Sequence, residues 1–368
     1  MTIPAVTALI DTYNHERFIE EAIVSALEQD FPSADVEILV IDDGSTDRTP
    51  EIVRKFEPRV RLIRKPNGGQ ASAFNAGIPQ ARGEIIAFLD GDDWWAPNKL
   101  TRVVGILDEH PEIGVLGHGF DQVDSVLGQT TPTLPQGSRE IGFASLDDTA
   151  FFRRMMCFFG TSRVVIRKRI AECALPVPES IVIEADEFLS IMSIAYSKAI
   201  LVPDSLTFYR LHEDNLYQIR SADPRKLRRM HDAIGALARE LPPRLARALI
   251  APEAIRILVG TLEGAMKKLK LQIEGGSPWE TFQVERAERR YFYSDSPLGY
   301  RFFELLSLGL TLMMPPRRFY QLRNWYGSSL LRKWRGLLGE PIPTAKISTF
   351  PTNWNANSRS ELSDKQSR

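Results

Sequence analysis

Residues 84–95 read EIIAFLDGDDWW, an apolar run that ends in three carboxylates. The apolar part, Glu84–Leu89, consists mostly of branched and aromatic residues, which is typical of a strand buried on both faces in a parallel sheet. Ligands of open α/β sheets bind beyond the carboxyl ends of the strands. The sequence therefore predicts that Asp90, Asp92 and Asp93 lie at a binding edge.

The spacing of these acids favours a cation site. Carboxylates two residues apart, such as Asp90 and Asp92, can present oxygens to one hard divalent cation, and such a cation commonly bridges to substrate phosphates. Gly91 between them keeps the turn small, so that a diphosphate and a metal can approach the backbone. The alternative is an acidic strand-to-helix turn in which Asp93 or Asn98 caps the next helix.

Length and composition are those of an ordinary globular protein. The 368 residues can bury one large core or two smaller ones, and the net charge of −1 favours no nucleic-acid partner. Cys157 and Cys173 stand in apolar contexts without metal-ligand spacing, which predicts buried thiols in a reducing, cytoplasmic compartment. We expect no signal peptide, and no stretch reaches the roughly 18 uncharged apolar residues of a spanning helix.

Strands and helices alternate along the first hundred residues. Periodicity predicts, in order, strand Ala5–Ile10, helix Glu16–Gln29, strand Val36–Ile41, helix Thr49–Phe56, strand Val60–Arg64, helix Ala71–Ile78 and strand Glu84–Leu89. Right-handed crossovers then give an α/β fold with a mainly parallel sheet flanked by helices. Each strand ends in a polar cluster, and all four clusters are predicted to share one edge: Asp11–Asn14, Asp42–Asp47, Asn67–Gln70 and Asp90–Asp93.

This edge has the groups that a nucleotide requires. Carboxylates on two strand ends can hydrogen-bond a base and a ribose, whereas a diphosphate needs a cation, which Asp90 and Asp92 could supply only as a bound metal. The loops contain neither GxxxxGK followed by Ser or Thr nor GxGxxG, so a metal-held nucleotide is favoured over a cradle of backbone amides. The alternative for Asp42 and Asp43 is turn formation, and for Asn75 a helix-end role.

Four motifs occur in a characteristic order and spacing: Thr12-Tyr13-Asn14, Asp42-Asp43-Gly44-Ser45-Thr46-Asp47, Asn67-x-Gly69-x-x-x-Ala73-x-Asn75-x-Gly77 and Asp90-Gly91-Asp92-Asp93. Together they resemble the family 2 inverting glycosyltransferases of GT-A fold. The resemblance implies a nucleotide-sugar donor, expected to be a UDP-sugar, and inverting transfer of a hexosyl group to an acceptor hydroxyl. Two departures stand out: Asp11 replaces a usual proline, and Phe74 replaces a usual arginine.

The resemblance also implies roles for individual residues. The donor would contact Thr12, Tyr13, Asn14, Asp43, Asn67, Gly69, Asn75, Asp90, Gly91 and Arg210. The Thr12–Asn14 loop and Asp43 would lie near the nucleobase and ribose. Asp90 and Asp92 would hold Mn²⁺ or Mg²⁺ against the donor diphosphate.

A general base is expected in the segment IEADEFL, residues 183–189, which opens a predicted helix. Inversion requires a group that takes the proton of the acceptor hydroxyl, and a carboxylate at a helix start can do so. Resemblance to the family's ED segment favours Asp186, and Glu184 and Glu187 remain alternatives. The non-catalytic reading is that these acids only complement the helix dipole.

The segment FYRLHEDN, residues 208–215, ends a predicted short strand that would pair with Ala199–Val202. It resembles the family's YR-x-H-x-x-N segment, which implies that Arg210 neutralises the leaving group and that His212 completes the metal shell or binds a phosphate. The alternative for His212 is a surface or cap residue. Residues 121–145 lack periodicity and are predicted to form a long loop near the site.

The carboxy-terminal third is predicted to be helical, with helices at 225–241, 252–274, 278–293 and 298–313. Between Pro315 and Leu338 lie six basic and five aromatic residues and no acids, a composition that suits an anionic membrane surface. We therefore expect peripheral membrane contact through 298–338, the alternative being packing on the catalytic domain or a second subunit. The predicted domains are 1–220 (catalytic), 221–338 (helical) and 339–368 (a disordered tail).

Altogether the sequence predicts a metal-dependent glycosyltransferase that acts on a saccharide or lipid-linked acceptor in cell-surface polysaccharide or glycolipid synthesis. One alternative is a sugar-nucleotide nucleotidyltransferase, which should carry a glycine-rich basic loop where Thr12–Arg17 offers only Arg17. The other is a non-catalytic nucleotide-binding scaffold, which the metal pair and the candidate base disfavour.

Overall fold

A computed structural model describes residues 4–124, 128–212, 223–292 and 298–328. Its strands are β1 Val6–Thr12, β2 Val36–Asp42, β3 Val60–Arg64, β4 Ile85–Asp90, β5 Trp94–Trp95, β6 Ile113–Asp124, β7 Gln129–Thr133, β8 Arg139–Ile141, β9 Val164–Arg167 and β10 Lys198–Leu211. Its helices are α1 Ile19–Leu27, α2 Thr49–Arg54, α3 Gln70–Gly77, α4 Lys99–Glu109, α5 Leu146–Arg154, α6 Lys168–Cys173, α7 Ala185–Ala195, α8 Pro224–Arg247, α9 Pro252–Ile273, α10 Pro278–Phe292, α11 Leu298–Met313 and α12 Pro316–Ser328.

All of these strands belong to one sheet in the order β3-β2-β1-β4-β9-β6-β10-β5, with β7 beside β6 and β8 beside β10. The four strands β1 to β4 are parallel, because a helix connects each one to the next. β9 runs antiparallel to both β4 and β6, so the sheet is mixed beyond β4. In the register, Thr12 lies beside Asp42 and Asp11 beside Asp90. The polar ends of these strands therefore meet at one edge.

Each face of the sheet is covered by its own apolar cluster. Ala8 and Ile10 of β1 pack in the cluster that includes α1 and α4, whereas Leu9 packs in the one that includes α3 and α7. The strand is thus buried on both faces, which explains why it reads as a continuous apolar run. Helices α8 and α9 contribute Leu237 and Leu258 to the second cluster, so the helical extension shares a core with the sheet.

The predicted carboxy-terminal helices correspond to α8, α9, α10 and α11, and α12 follows them. None of the helices in the described ranges combines the length and the apolar character needed to cross a bilayer. Residues 329–338 of the predicted membrane-contacting segment, and the predicted tail 339–368, lie outside the described residues.

The prediction of a long loop at 121–145 is wrong. β6 continues through Asp124 and pairs with β7, and β8 pairs with β10. Most of β7 is exposed and it includes Pro132, which an edge strand tolerates. Main-chain hydrogen bonds hold an edge strand whatever its side chains are. β7 therefore does not need the alternation of apolar and polar residues by which a strand is recognised in a sequence.

Two further predictions need correction. Residues 199–202 and 208–211 do not pair with each other, because both belong to the single strand β10, which runs parallel to β6. The polar interruption after Val202 is an irregularity of the pairing rather than a turn. Cys157 is buried as predicted, but Cys173 is exposed because it ends the short surface helix α6.

Candidate active site

The loops that follow β1 and β2 are joined by hydrogen bonds. Asn14 donates its backbone N–H to Ser45 Oγ (2.9 Å) and accepts the backbone N–H of Thr46 at Oδ1 (2.8 Å). Its φ of 56° is tolerated because asparagine adopts the left-handed region more readily than most residues. Thr12 is buried beneath the loop, whereas Tyr13 is 43% exposed. Thr12, Tyr13 and Asn14 thus lie together at this edge of the sheet.

Asp43 holds the glycine loop that precedes α3. Its carboxylate accepts the backbone N–H groups of Gly68 (3.0 Å) and Gly69 (2.7 Å) and pairs with Lys65 Nζ at 2.5 Å. Gly69 has a φ of 82°, and a Cβ there would lie 2.8 Å from a neighbouring carbonyl oxygen, so the position requires glycine. Asn67 is exposed on the same loop. Asp43, Asn67 and Gly69 therefore lie together.

Asn75 lies on α3, away from these loop contacts. Its Nδ2 donates to Val177 O and its Oδ1 accepts the N–H of Val177, both at 2.8 Å. Both ends of the amide are used within the protein, in joining α3 to the segment after α6. This placement supports the structural alternative for Asn75 and not the predicted donor contact.

We predict that Asn75→Ala lowers the free energy of unfolding by about 1–3 kcal/mol, because it leaves two backbone groups of Val177 without partners. Urea denaturation followed by circular dichroism measures the change. Asn98→Ala is the matched control, since Asn98 precedes α4 without a side-chain capping bond. Equal stability of the Asn75→Ala and Asn98→Ala variants would contradict the prediction.

Three carboxylates gather at the end of β4. Oxygens of Asp90, Asp92 and Asp93 all lie within 4.8 Å of one another. Asp92 Oδ2 lies 2.9 Å from His212 Nε2 and 3.9 Å from His15 Nε2. The predicted metal residues are therefore adjacent, and Asp93 joins them. The sequence signal for including Asp93 was its position directly after Asp92.

The electrostatics of this cluster are those of crowded negative charge. Burial raises the pKa of Asp90 well above its usual value, and the charges of Asp11 and Asp92 add to the rise. Burial likewise raises the pKa of Asp93 to about 7. Burial alone would raise the pKa of Asp92 too, but its histidine neighbours lower it. A divalent cation would relieve this repulsion, and carboxylate oxygens suit Mg²⁺ or Mn²⁺.

A second requirement for glycine at position 91, besides the predicted one, comes from packing. A Cβ at this position would lie 2.6 Å from Thr12 Oγ1 and 2.8 Å from His15 Nδ1. The missing side chain therefore lets the loop after β1 pack against the acidic turn, in addition to any space it leaves for a ligand.

Asp186 lies next to the acidic cluster, and the place where Asp90, Asp92, Asp93 and Asp186 come together is called the hollow below. Gln70, the first residue of α3, donates from Nε2 to Thr161 Oγ1 (2.9 Å) and more weakly to Asp90 Oδ1 (3.4 Å). Thr161 in turn donates its backbone N–H to Asp186 Oδ2 at 3.1 Å. A short chain of contacts thus links the β4 acids to the start of α7. Gln70 and Thr161 were not predicted as site residues, because their partners are distant in the sequence.

Comparison with known proteins identifies the family. Residues 7–172 match the model of glycosyl transferase family 2. These residues belong to glycosyl transferase family 2. An uncharacterized glycosyltransferase of Nostoc sp. is 31% identical over 217 residues, which are 57% of this chain and 66% of that protein. The poly(ribitol-phosphate) beta-N-acetylglucosaminyltransferase TarS of Staphylococcus aureus is 34% identical over 139 residues, 35% of this chain and 24% of TarS. The chain thus spans less than two thirds of either relative.

A solved structure confirms the predicted fold. The crystal structure of residues 1–349 of S. aureus TarS, in complex with UDP-GlcNAc, superposes with a TM-score of 0.50 at 19% identity, covering 80% of this chain and 94% of that one. The predicted α/β architecture of GT-A type, with its helical extension, is therefore correct.

Arg210 contacts the acidic turn, residues 90–93. Its backbone N–H donates to Asp93 Oδ1 and its Nε to the carbonyl oxygen of Asp92, both at 2.8 Å, and its guanidinium pairs with Glu21. The guanidinium also lies over the ring of Trp94, 4.3 Å from its centroid. These contacts give Arg210 a place in holding the turn, rather than the open position that the predicted donor contact needs. Asn215 of the same motif lies outside the described residues.

Of the three acids at the start of α7, only Asp186 joins the hollow. Glu187 forms an ion pair with Arg153 of α5 at 2.5 Å. Glu184 is 4% exposed, and burial, followed by the charge of Glu187, raises its pKa well above the usual range. These contacts disfavour Glu184 and Glu187 as the predicted general base.

Asp11 borders the acidic cluster, whereas the sequence predicted it only as part of the polar cluster Asp11–Asn14 and as a departure from the family pattern. It ends β1 beside Asp90, and burial raises its pKa to about 8, with the charges of Asp186 and Asp92 adding to the rise. The available signal was its position at the end of a strand that neighbours β4.

Proposed function

We propose that the protein is an inverting, metal-dependent glycosyltransferase that moves a hexosyl group from a nucleoside-diphosphate sugar to an acceptor hydroxyl. The observation that carries this proposal is the shared hollow of the β4 acids and Asp186, linked through Gln70 and Thr161. Family membership supports the transferase class. The donor and base sites proposed here rest on this geometry together with the resemblance to the family.

Asp90 and Asp92 would hold Mg²⁺ or Mn²⁺, with His212 against Asp92. The close approach of their oxygens and the raised pKa of Asp90 fit such an ion. When bound, the cation supplies positive charge to the donor diphosphate. The chain itself fixes the orientation of Asp92, because His212 occupies its Oδ2 at 2.9 Å.

Asp186 would act as the general base. Its Oδ2 accepts from Thr161 and its Oδ1 accepts the backbone N–H of Glu187 at 2.8 Å, so the carboxylate is fixed at the start of α7. Burial raises its pKa and the nearby Arg163 guanidinium opposes the rise. A fixed carboxylate with a raised pKa is a stronger base than an exposed aspartate, which suits it to take the proton of the acceptor hydroxyl.

We propose a UDP-sugar as donor, because the TarS structure that shares this fold contains UDP-GlcNAc. The exposed ring of Tyr13 can pack against the nucleobase of the donor. Asp43 would act near the ribose through the glycine loop that it holds.

The acceptor is proposed to be a saccharide or lipid-linked hydroxyl compound at the cytoplasmic face of a membrane, within cell-surface polysaccharide or glycolipid synthesis. α11 exposes the apolar side chains Leu305, Leu306, Leu312 and Met313. The following α12 exposes Arg317 and Arg318. Exposed apolar side chains next to arginines suit peripheral contact with anionic headgroups.

Release of nucleoside diphosphate tests the function. With UDP-, GDP- and dTDP-sugars as donors, we expect at least one to release its diphosphate with Mg²⁺ or Mn²⁺, and EDTA to abolish the release. The absence of metal-dependent release from every donor would contradict the proposal. Pyrophosphate formed from a nucleoside triphosphate and a sugar phosphate would assign a nucleotidyltransferase instead.

A further inference from the structure

Arg163 is held in an unusual setting beside the hollow. Its guanidinium carbon lies 4.7 Å from the centroid of the Phe120 ring and 4.9 Å from that of Tyr209. A Cβ on Gly160 would collide with its Nη2, so the guanidinium packs directly on the backbone there. Contacts with two ring faces and a glycine restrict the guanidinium to one place.

No carboxylate in the described part of the chain pairs with Arg163. Its Nε is buried and has no hydrogen-bond acceptor. By contrast, Arg153 pairs with Glu187 and Arg210 pairs with Glu21. A guanidinium has five N–H donors, and a buried donor without an acceptor requires an explanation. A ligand with oxyanion groups would supply one.

The topology separates Arg163 from the nucleotide loops. Those loops follow β1, β2 and β3, whereas Phe120 lies in β6 and Tyr209 in β10. In the sheet, β6 and β10 lie beyond β4 and β9 on the side away from β1 to β3. Thr161, two residues before Arg163, holds the proposed base Asp186. Arg163 therefore lies on the far side of the acids from the proposed nucleoside site, next to the base.

We propose that Arg163 binds an anionic group, a phosphate or a carboxylate, of the acceptor substrate. The inference rests on the proposed function, since it needs Asp186 to face the acceptor. A planar guanidinium binds either oxyanion through two parallel hydrogen bonds. Because the rings already fix its position, little conformational entropy is lost when the anion binds. The acceptor is thus a charged glycan or lipid phosphate rather than a neutral sugar.

Ligand-observed NMR titration can test this with two matched pairs of probes, glycerol 3-phosphate against glycerol and glucuronate against glucose. The enzyme is held at saturating UDP and Mg²⁺, so that the donor phosphate site is filled. We expect at least one anion to bind about tenfold more tightly than its neutral partner, the usual effect of one charge-assisted contact. The probe pair that responds distinguishes a phosphate from a carboxylate. An equal affinity within both pairs for the wild-type enzyme would overturn the inference without any variant.

Arg163→Gln should remove the preference for the anion, whereas Arg169→Gln, at an exposed arginine of the next helix, should retain it. Arg163→Lys keeps the charge and serves if the glutamine variant folds poorly. UDP binding separates the proposals. Failure of the wild-type enzyme to bind UDP with Mg²⁺ would count against the proposed function. A loss of UDP affinity on Arg163→Gln would assign the guanidinium to the donor diphosphate and overturn the acceptor role.

Discussion

Replacing Asp186 by asparagine is expected to lower the rate of sugar transfer by about 10²- to 10⁴-fold, the usual contribution of a general base. The amide oxygen can keep the hydrogen bond that Asp186 Oδ2 accepts from the Thr161 N–H. The amide nitrogen cannot accept the N–H of Glu187 as Oδ1 does, and the amide cannot act as a base. UDP binding should be unchanged, because the β4 acids remain. Transfer is followed by diphosphate release, and binding by isothermal titration calorimetry.

Asp147→Asn is the control, since Asp147 is an exposed acid in the first turn of α5 and has no place in the hollow. It should leave both transfer and UDP binding intact. Full activity of the Asp186→Asn enzyme would move the base to another residue. Loss of UDP binding in that variant would show that Asp186 supports the donor site instead.

The pH profile of the wild-type enzyme gives a related expectation. Burial raises the pKa of Asp186, so its carboxyl becomes protonated, and inactive as a base, at a higher pH than an exposed aspartate does. The acid limb of kcat should therefore lie above about pH 4, the ordinary aspartate range. A rate that stays constant down to that pH would contradict the role of Asp186 as the base.

Asp92→Ala should abolish the dependence of UDP binding on Mg²⁺. The substitution removes one of three clustered carboxylates and the contact of that carboxylate with His212 Nε2. Loss of a partner that only orients a ligand costs about 10–100-fold in metal affinity, so loss of a ligand itself should cost at least as much. Calorimetric titration of UDP with Mg²⁺ and with EDTA measures the effect.

The matched control is Asp108→Ala, at an exposed position of α4. This variant should bind UDP as the wild-type enzyme does, and only in the presence of the cation. If Asp92→Ala also retained Mg²⁺-dependent binding, the cation would be held by other residues and the assignment of the cluster would be wrong.

The parallel half of the sheet could be predicted because its strands are buried on both faces. Such strands read as apolar runs that end in polar turns, and parallel pairing places those turns on one edge. Asp90 and Asp92 could be predicted to lie close together because they are only two residues apart in the sequence. The edge strands β7 and β8 could not be predicted, since hydrogen bonds of the main chain hold them and their side chains are largely exposed.

Side-chain partners were the second limit on prediction. Asn75 meets Val177 across 102 residues of sequence, and Arg210 meets Asp93 across 117. Nothing in the local pattern of either motif indicates these distant contacts, so the sequence suggested donor binding where the structure has internal hydrogen bonds. The link from Gln70 to Asp186 escaped prediction for the same reason, because it depends on how α3, the turn before β9 and α7 meet.

The contacts of Asp43 bear on any redesign of nucleotide preference. Because its carboxylate is hydrogen-bonded to the backbone N–H groups of Gly68 and Gly69, a substitution at this one position would alter the group proposed to lie near the ribose and release the adjoining loop at the same time. Changes in base or sugar selectivity measured in such a variant would mix the two effects. Grafting the 65–70 segment together with residue 43 would exchange the pair as a unit and keep the recognition surface rigid.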